Sequence, residues 1–240
     1  YPYAGVGFDR AVENTGILLR AAREAGVERV VHVSVSNPSP DSPLAYYRGK
    51  AEAEALVLAA GLSYAIVRPT LVVGPHDILL NNIAWFLRRF PVFGMPGSGA
   101  YRVQPVMLED VGELLAGAAM SRDDMTFDAA GPDVITFEGF VRTIAVAIGR
   151  RPRIIHLPPA LPLAALRVAG WAVREVILSS EELRGLMSEC LGSQEPPRET
   201  KSVLAWLQEN GRELGGAYSS ELDRHGRGRI GGRSASRRAN

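Results

Sequence analysis

The chain has 240 residues, 46% hydrophobic and 22% charged, an ordinary globular profile that suits one large domain or a domain plus a lobe. Its 27 Lys and Arg balance 26 Asp and Glu, so global charge points to no class of partner. Cys190 is the one cysteine. That excludes an intrachain disulfide and a cysteine-rich zinc site, and a reducing, cytoplasmic setting is the expectation. No apolar run approaches the ~20 residues a membrane span needs. No metal is expected. The chain opens on Tyr1 with no signal-peptide pattern, which reads as a start inside a longer frame.

In chain order, helical spacing of Val12, Leu18, Leu19 and Ala22 predicts a helix over 9–25, stopped at Gly26. The Val-rich run from Val27 to Val35 predicts a strand buried on both faces. Residues 37–44, NPSPDSPL, form a loop by composition. A helix over Tyr46–Ala60 follows, closed by Gly61, then a strand over Ser63–Val67 that Arg68-Pro69 ends. This helix–strand alternation argues for a parallel α/β sheet with crossover helices. Beyond Gly74 the expectation is a helix over Ile78–Phe90, a Gly/Pro loop over 91–101 and an extended piece over Tyr101–Val106. A helix over Leu108–Met120 carries Glu109 and Asp110 in its first turn, where the dipole favours them. A strand over Thr126–Ala130, a helix capped by Thr136, an extended Pro152–Leu157, helices near 160–177 and 180–191, and a short one over Val203–Glu209 complete the reading. After His225 the tail carries five arginines and no acid. Such a segment buries too little apolar surface to order itself, and a disordered end is expected rather than a nucleic-acid site.

The local signal richest in chemistry is Tyr46-Tyr47-Arg48-Gly49-Lys50. Tyr46 and Lys50, four apart, share one helix face. A nearby ammonium favours phenolate, so the pair can move a proton at a pH where a phenol alone is inert. The same lysine can donate to ribose hydroxyls. By itself Tyr-x-x-x-Lys is common by chance, and a surface tyrosine packed on a lysine stem is its bland alternative. Context adds weight. Ser34-Val35-Ser36 ends the buried strand, where open α/β sheets bind ligands. Pro69 removes an amide and fixes the exit of the next strand.

These pieces, with VENTG at 12–16, SYAIVRPTLVVGP at 63–75 and QPVMLEDV at 104–111, resemble the short-chain dehydrogenase/reductase superfamily over residues 9–112. The branch resembled is the extended or atypical one. It includes sugar-nucleotide epimerases, dehydratases and the NAD(P)H-binding accessory subunit of respiratory complex I. The resemblance implies a partial doubly wound, Rossmann-type α/β sheet with a mostly helical C-terminal substrate lobe. The division it suggests is 1–75 for the nucleotide-binding half, 76–225 for the lobe with returns to the sheet, and 226–240 for the tail. It implies Tyr46 as acid/base, Lys50 as ribose clamp, and Ser34 or Ser36 as the polar partner. Asn14, Pro69, Thr70 and Leu71 join Lys50 as contacts to NAD or NADP. A small hydroxyl or carbonyl substrate is expected, and homo-oligomers fit the class. The glycine-rich fingerprint after a first strand is absent, and Gly94, Gly97 and Gly99 do not replace it, because they follow a helix rather than open one. Two readings stand. One is an NAD(P)-dependent oxidoreductase, epimerase or dehydratase. The other is a non-catalytic NAD(P)H-binding sensor, assembly factor or accessory subunit.

Other polar residues carry weaker signals. His32 is expected as a core histidine with a satisfied ring. His76-Asp77, Asn81-Asn82, Arg102 and Gln104 are candidates to face a substrate, Arg88-Arg89 reads as a solvated helix face, and the three tryptophans read as packing.

Overall fold

A computed structural model describes residues 7–158, 180–198 and 201–218. The helix expected near 160–177 and the tail 226–240 lie outside the described residues. The chain starts with helix α1 (Phe8–Glu24). It stops where predicted: Gly26 takes φ +74°, and the amides of Gly26 and Val27 close onto the carbonyls of Arg23 and Ala22. Strand β1 (Arg29–Val33), helix α2 (Ala45–Leu58) and strand β2 (Ser63–Pro69) follow.

β1 and β2 pair in parallel from Arg29↔Ser63 to Val33↔Val67. β2 then pairs in parallel with β7 (Met125–Ala129), which gives the sheet order β1-β2-β7. The pairing outlasts β1, because the Ser34 and Ser36 amides donate to the carbonyls of Val67 and Pro69. Side-chain alternation sets the layers. Ile66 faces Leu19 of α1 and Val57 of α2. Ala65, Val67 and Phe127 face Val111 and Ala118 of helix α4 (Leu108–Met120). Ile66 and Val67 are wholly buried, each contributing about 2 kcal/mol. The fold is α/β with a parallel Rossmann-type sheet, as expected.

A second core runs from Leu71 and Val73 into the residues beyond Gly74. It packs helix α3 (Ile78–Arg89), helix α5 (Phe137–Ala147) and helix α7 (Val203–Asn210) around Met95, Val103, Phe140 and Leu207. Asp77 and Thr136 cap α3 and α5 through their side chains. Three short sheets serve this region: β3 (Leu71–Val73) with β6 (Pro105–Met107), β4 (Val92–Pro96) with β9 (Arg153–Leu157), and β5 (Arg102–Val103) with β8 (Ile135–Thr136).

Three expectations are corrected. The Gly/Pro stretch 91–101 contains β4, because its register partner β9 comes from far along the chain and supplies the ladder that local composition cannot. Arg68-Pro69 belongs to β2 rather than ending it, since a proline at a strand's last position gives up only an amide. The helix expected over 180–191, α6, runs over Ser180–Met187, and Glu189 follows it with φ +54°.

β1 has no strand on its second edge among the described residues, and Val33 is 43% exposed beside it. An open edge flanked by apolar side chains recruits further strands. Residues 1–240 are therefore expected to self-associate with rising concentration, and Val33→Lys is expected to suppress it. Light scattering after size-exclusion chromatography reads this directly. A monomer at all concentrations would contradict the expectation.

Candidate functional site

The site is built where the strands end. Asn37, first residue past the serines, takes the left-handed conformation at φ +54°, which asparagine tolerates. The loop then turns into α2, with Ser42 Oγ accepting from the Leu44 amide and Arg48 donating to the Ser42 carbonyl. The first turns of α2 place Tyr46 and Lys50 together. The Lys50 ammonium lies over the Tyr46 ring, 5.9 Å from its centre. Its Nζ donates to the Val33 carbonyl at 2.9 Å.

The neighbouring tyrosine has a different role. Tyr47 is buried against Val35, Leu44 and Cys190, with its ring edge-on to Tyr46 at 5.4 Å. Burial pushes its phenol far above the ordinary range. Burial also raises the Tyr46 phenol, while the Lys50 charge sits over its ring face. The Lys50 pKa is lowered by burial, partly countered by Glu54.

The two serines differ sharply. Ser34 is 5% exposed and its hydroxyl has no hydrogen-bond partner among the described residues. Ser36 is fully buried and donates to the Cys190 carbonyl at 2.7 Å. A buried hydroxyl left unpaired costs about 1–3 kcal/mol, so Ser34 is the polar atom here that a ligand could satisfy. His32, on the same sheet face two residues earlier, is corrected. It lies in the strand as expected, but its Nε2 is buried without a partner. Burial and then Lys50 lower its pKa against a smaller upward pull from Glu54.

The next strand's exit is closed off by the protein itself. Pro69 is buried, the Thr70 amide donates to the Ala129 carbonyl, and the Leu71 amide donates to the Gln104 carbonyl. What Pro69 and Leu71 can offer a ligand is apolar surface. Asn14 is exposed on α1. Behind Lys50, Glu54 and Arg68 form a two-pronged ion pair at 2.9 and 2.6 Å.

Of the candidates beyond Gly74, several hold the fold. Asn81 donates to the Pro75 and Asp77 carbonyls and accepts from the Gly215 amide. Arg88 donates to the carbonyls of Leu214 and Arg212 rather than standing in solvent. Arg102 pairs with Glu189. Gln104 is buried and bridges the Gly131 carbonyl and the Ser193 amide. Sequence reasoning did not single out Asn37, Asp128 or Ser193, whose contacts join residues far apart in the chain. No cluster of three or more metal-ligating side chains occurs among the described residues. No helix among them is long and apolar enough to cross a membrane.

Fold and strand-end constellation together define a Rossmann-type α/β protein with a dinucleotide-fold tyrosine–lysine pair. No family model matches the chain. It is 31% identical over 158 residues to the mitochondrial NADH dehydrogenase [ubiquinone] 1 alpha subcomplex subunit 9 of Arabidopsis thaliana, covering 64% of this chain and 38% of that one. It is 30% identical to the mouse subunit of the same name, covering 78% and 53% respectively. The 40 kDa NADH-ubiquinone oxidoreductase subunit of Neurospora crassa is 28% identical, with 76% and 48% covered. The chain thus spans about half the length, or less, of these curated relatives. Among solved structures, MoeE5 in complex with UDP-glucuronic acid and NAD superposes with a TM-score of 0.53 at 27% identity, over 60% of this chain and 56% of that one. A Staphylococcus aureus nucleoside-diphosphate-sugar epimerase shares the fold with a TM-score of 0.63 at 16% identity, over 87% and 74%. These similarities support the resemblance to the short-chain dehydrogenase/reductase superfamily. The expectation of a cytoplasmic setting is corrected, since the relatives are named as mitochondrial. A single free thiol reports a reducing surrounding and does not distinguish one such compartment from another.

Proposed function

We propose that the chain serves as a non-catalytic NAD(P)H-binding protein that acts as an accessory subunit of a larger redox assembly. The observation that carries this reading is the Ser36 hydroxyl, which is spent on the Cys190 carbonyl rather than left for a substrate. The upward shift that burial gives the half-buried Tyr46 phenol supports it. So do the relatives, which are named as subunits of an NADH dehydrogenase or NADH-ubiquinone oxidoreductase.

The residues present fit the nicotinamide end of NAD or NADP. Ser34 offers a buried hydroxyl with no partner among the described residues. A lysine ammonium has three hydrogens, and the Val33 carbonyl takes one of them. Lys50 would hold the ribose hydroxyls, Ser34 a polar atom beside them, and Pro69, Thr70 and Leu71 the apolar face, with Asn14 at the periphery. When bound, such a cofactor supplies a transferable hydride. The chain's own part in this reading is to bind, orient and exclude water.

Full-length protein carrying Lys50→Met is expected to bind NADH at least tenfold more weakly, because a charge and a ribose donor are lost. Tyr46→Phe is expected to leave binding within a factor of about two. Fluorescence titration measures both, and a steady-state assay for NADH oxidation accompanies it. Turnover that Tyr46→Phe abolishes would return the protein to the enzyme reading, with Tyr46 as acid/base, Ser36 released to a small hydroxyl or carbonyl substrate, and homo-oligomers to be sought. That enzyme reading draws on the neighbours solved with sugar nucleotides.

A further inference from the structure

Residues 188–198 have no helix or strand, and they run across the ends of the sheet. The Cys190 carbonyl accepts from Ser36 Oγ at 2.7 Å and from Asn37 Nδ2 at 3.1 Å, and Asn37 also donates to the Gly192 carbonyl at 2.7 Å. These contacts fix the segment to the end of β1. The Gln104 amide donates to the Leu191 carbonyl, and the Ser193 amide returns a bond to Gln104 Oε1 at 2.9 Å. Those two fix it beside β6. Ser193 Oγ donates to Asp128 Oδ2 at 2.6 Å, and the Asp128 amide donates to Glu195 Oε2. Arg198 lies over the Phe127 ring at 4.5 Å. These fix it to β7.

The segment is thus held at three strands, almost wholly by polar contacts. Its residues are half-buried or exposed. Only Cys190, against Tyr47, and Leu191, against the lobe core, add apolar anchorage. Elements with few buried apolar contacts open locally at a free energy well below that of global unfolding. The ladders of β2 with β1 and β7, by contrast, run through fully buried positions such as Ile66 and Val67.

Two donors meeting on one carbonyl is the arrangement a protein uses to orient a carbonyl, carboxamide or carboxylate of a ligand. Here the chain supplies that oxygen itself, at the strand ends where open α/β sheets take their ligands. We propose that residues 188–198 are a displaceable strap, an internal stand-in that occupies Ser36 and Asn37 through the Cys190 carbonyl and closes this end of the sheet until a carbonyl- or carboxamide-bearing ligand replaces it. This rests on the proposed NAD(P)H-binding reading for its biological meaning, but the strap's opening can be measured without it.

The test compares full-length wild type with Ser193→Ala/Glu195→Ala by hydrogen–deuterium exchange and by NADH titration. Neither residue is assigned to ligand contact. The double change removes the Ser193 bonds to Asp128 and to the Glu195 amide, and the bond that the Asp128 amide donates to Glu195. Amides of 190–195 are expected to exchange at least tenfold faster in the double variant, with 64–67 and, apart from Asp128, 125–129 unchanged. NADH is expected to bind the double variant several-fold more tightly, since a competing internal contact is weakened. Exchange of 190–195 in step with 64–67 in both proteins would overturn the strap, showing it to be part of the core. Equal or weaker NADH affinity in the variant, where both bind, would overturn its role as a stand-in. Absence of NADH binding in both would instead count against the proposed function, and exchange alone would then decide whether the strap opens.

Discussion

Arg68→Ala is expected to destabilise the protein by about 3 kcal/mol at neutral pH, which urea unfolding would show as a lower midpoint at an unchanged slope. The reason lies in what it leaves behind. Glu54 is 7% exposed at its side chain, against 30% for Arg68, so the carboxylate is the more deeply buried partner. Arg68 accounts for both prongs of the pair, and its own pKa is raised first by that bond to Glu54. Removing it strands a buried anion, whereas the partial exposure of Arg68 lowers the figure from the top of the range for breaking buried pairs. Arg68 also faces Asp128 and Glu195. Burial already holds the Asp128 carboxyl above its usual range, and Arg68 pulls it back. Without Arg68 its folded pKa rises further. A raised folded pKa gives stability that is present at low pH and lost as pH rises through it. The deficit of the variant is therefore expected to be smaller near pH 5 than near pH 7.5. Replacing both partners, Glu54→Leu with Arg68→Met, is expected to recover most of the loss. If the double replacement is as unstable as Arg68→Ala, the stranded charge is not the cause.

The pattern by which this pair sits in the fold was partly legible beforehand. The consecutive burial of Ala65, Ile66 and Val67 in β2 and helical spacing in α1 follow from residue type alone, because Val, Ile and Leu have to leave water. The Tyr46–Lys50 face was legible for the same reason: a spacing of four on a helix is geometry. Other features depend on partners distant in sequence. β4 is held by β9 some sixty positions later, and β3 by β6 across the whole of α3. Neither strand carries a long enough run to declare itself. The fate of the serines was equally hidden. Ser34 and Ser36 have the same residue type and nearly the same place, yet one hydroxyl is unpaired among the described residues and the other meets a carbonyl 154 positions away. His32 looked like a satisfied core residue because buried rings normally are, and nothing local signals that its Nε2 is left alone.

Gly131→Ala is expected to destabilise the protein by about 3 kcal/mol or to prevent folding, although no positive φ makes a glycine necessary there. A Cβ at this position would overlap the carbonyl oxygen of Pro105 and crowd Val106 Cα. Neither can move cheaply. Pro105 and Val106 are wholly or nearly buried in β6 and are tied in register to Leu71 and Val72. The obstacle is therefore backbone, where an overpacked side chain could at least change rotamer. The Gly131 carbonyl also accepts from Gln104 Nε2 at 2.7 Å, and the other end of the same side chain receives the Ser193 amide. A shift of Gly131 would therefore travel through one buried amide into residues 188–198. If the variant folds, its amides over 190–195 are expected to exchange faster, whereas those of β1 and β2, which do not touch Gly131, keep their protection. Gly112→Ala is the matched control, since a Cβ there meets nothing within 4 Å on α4. That change is expected to be neutral or slightly stabilising, because alanine is the better helix former by about 1 kcal/mol. Thermal unfolding of the two variants side by side measures the contrast, and equal melting temperatures would show that the approach of Pro105 to Gly131 is not a fixed feature of the native state.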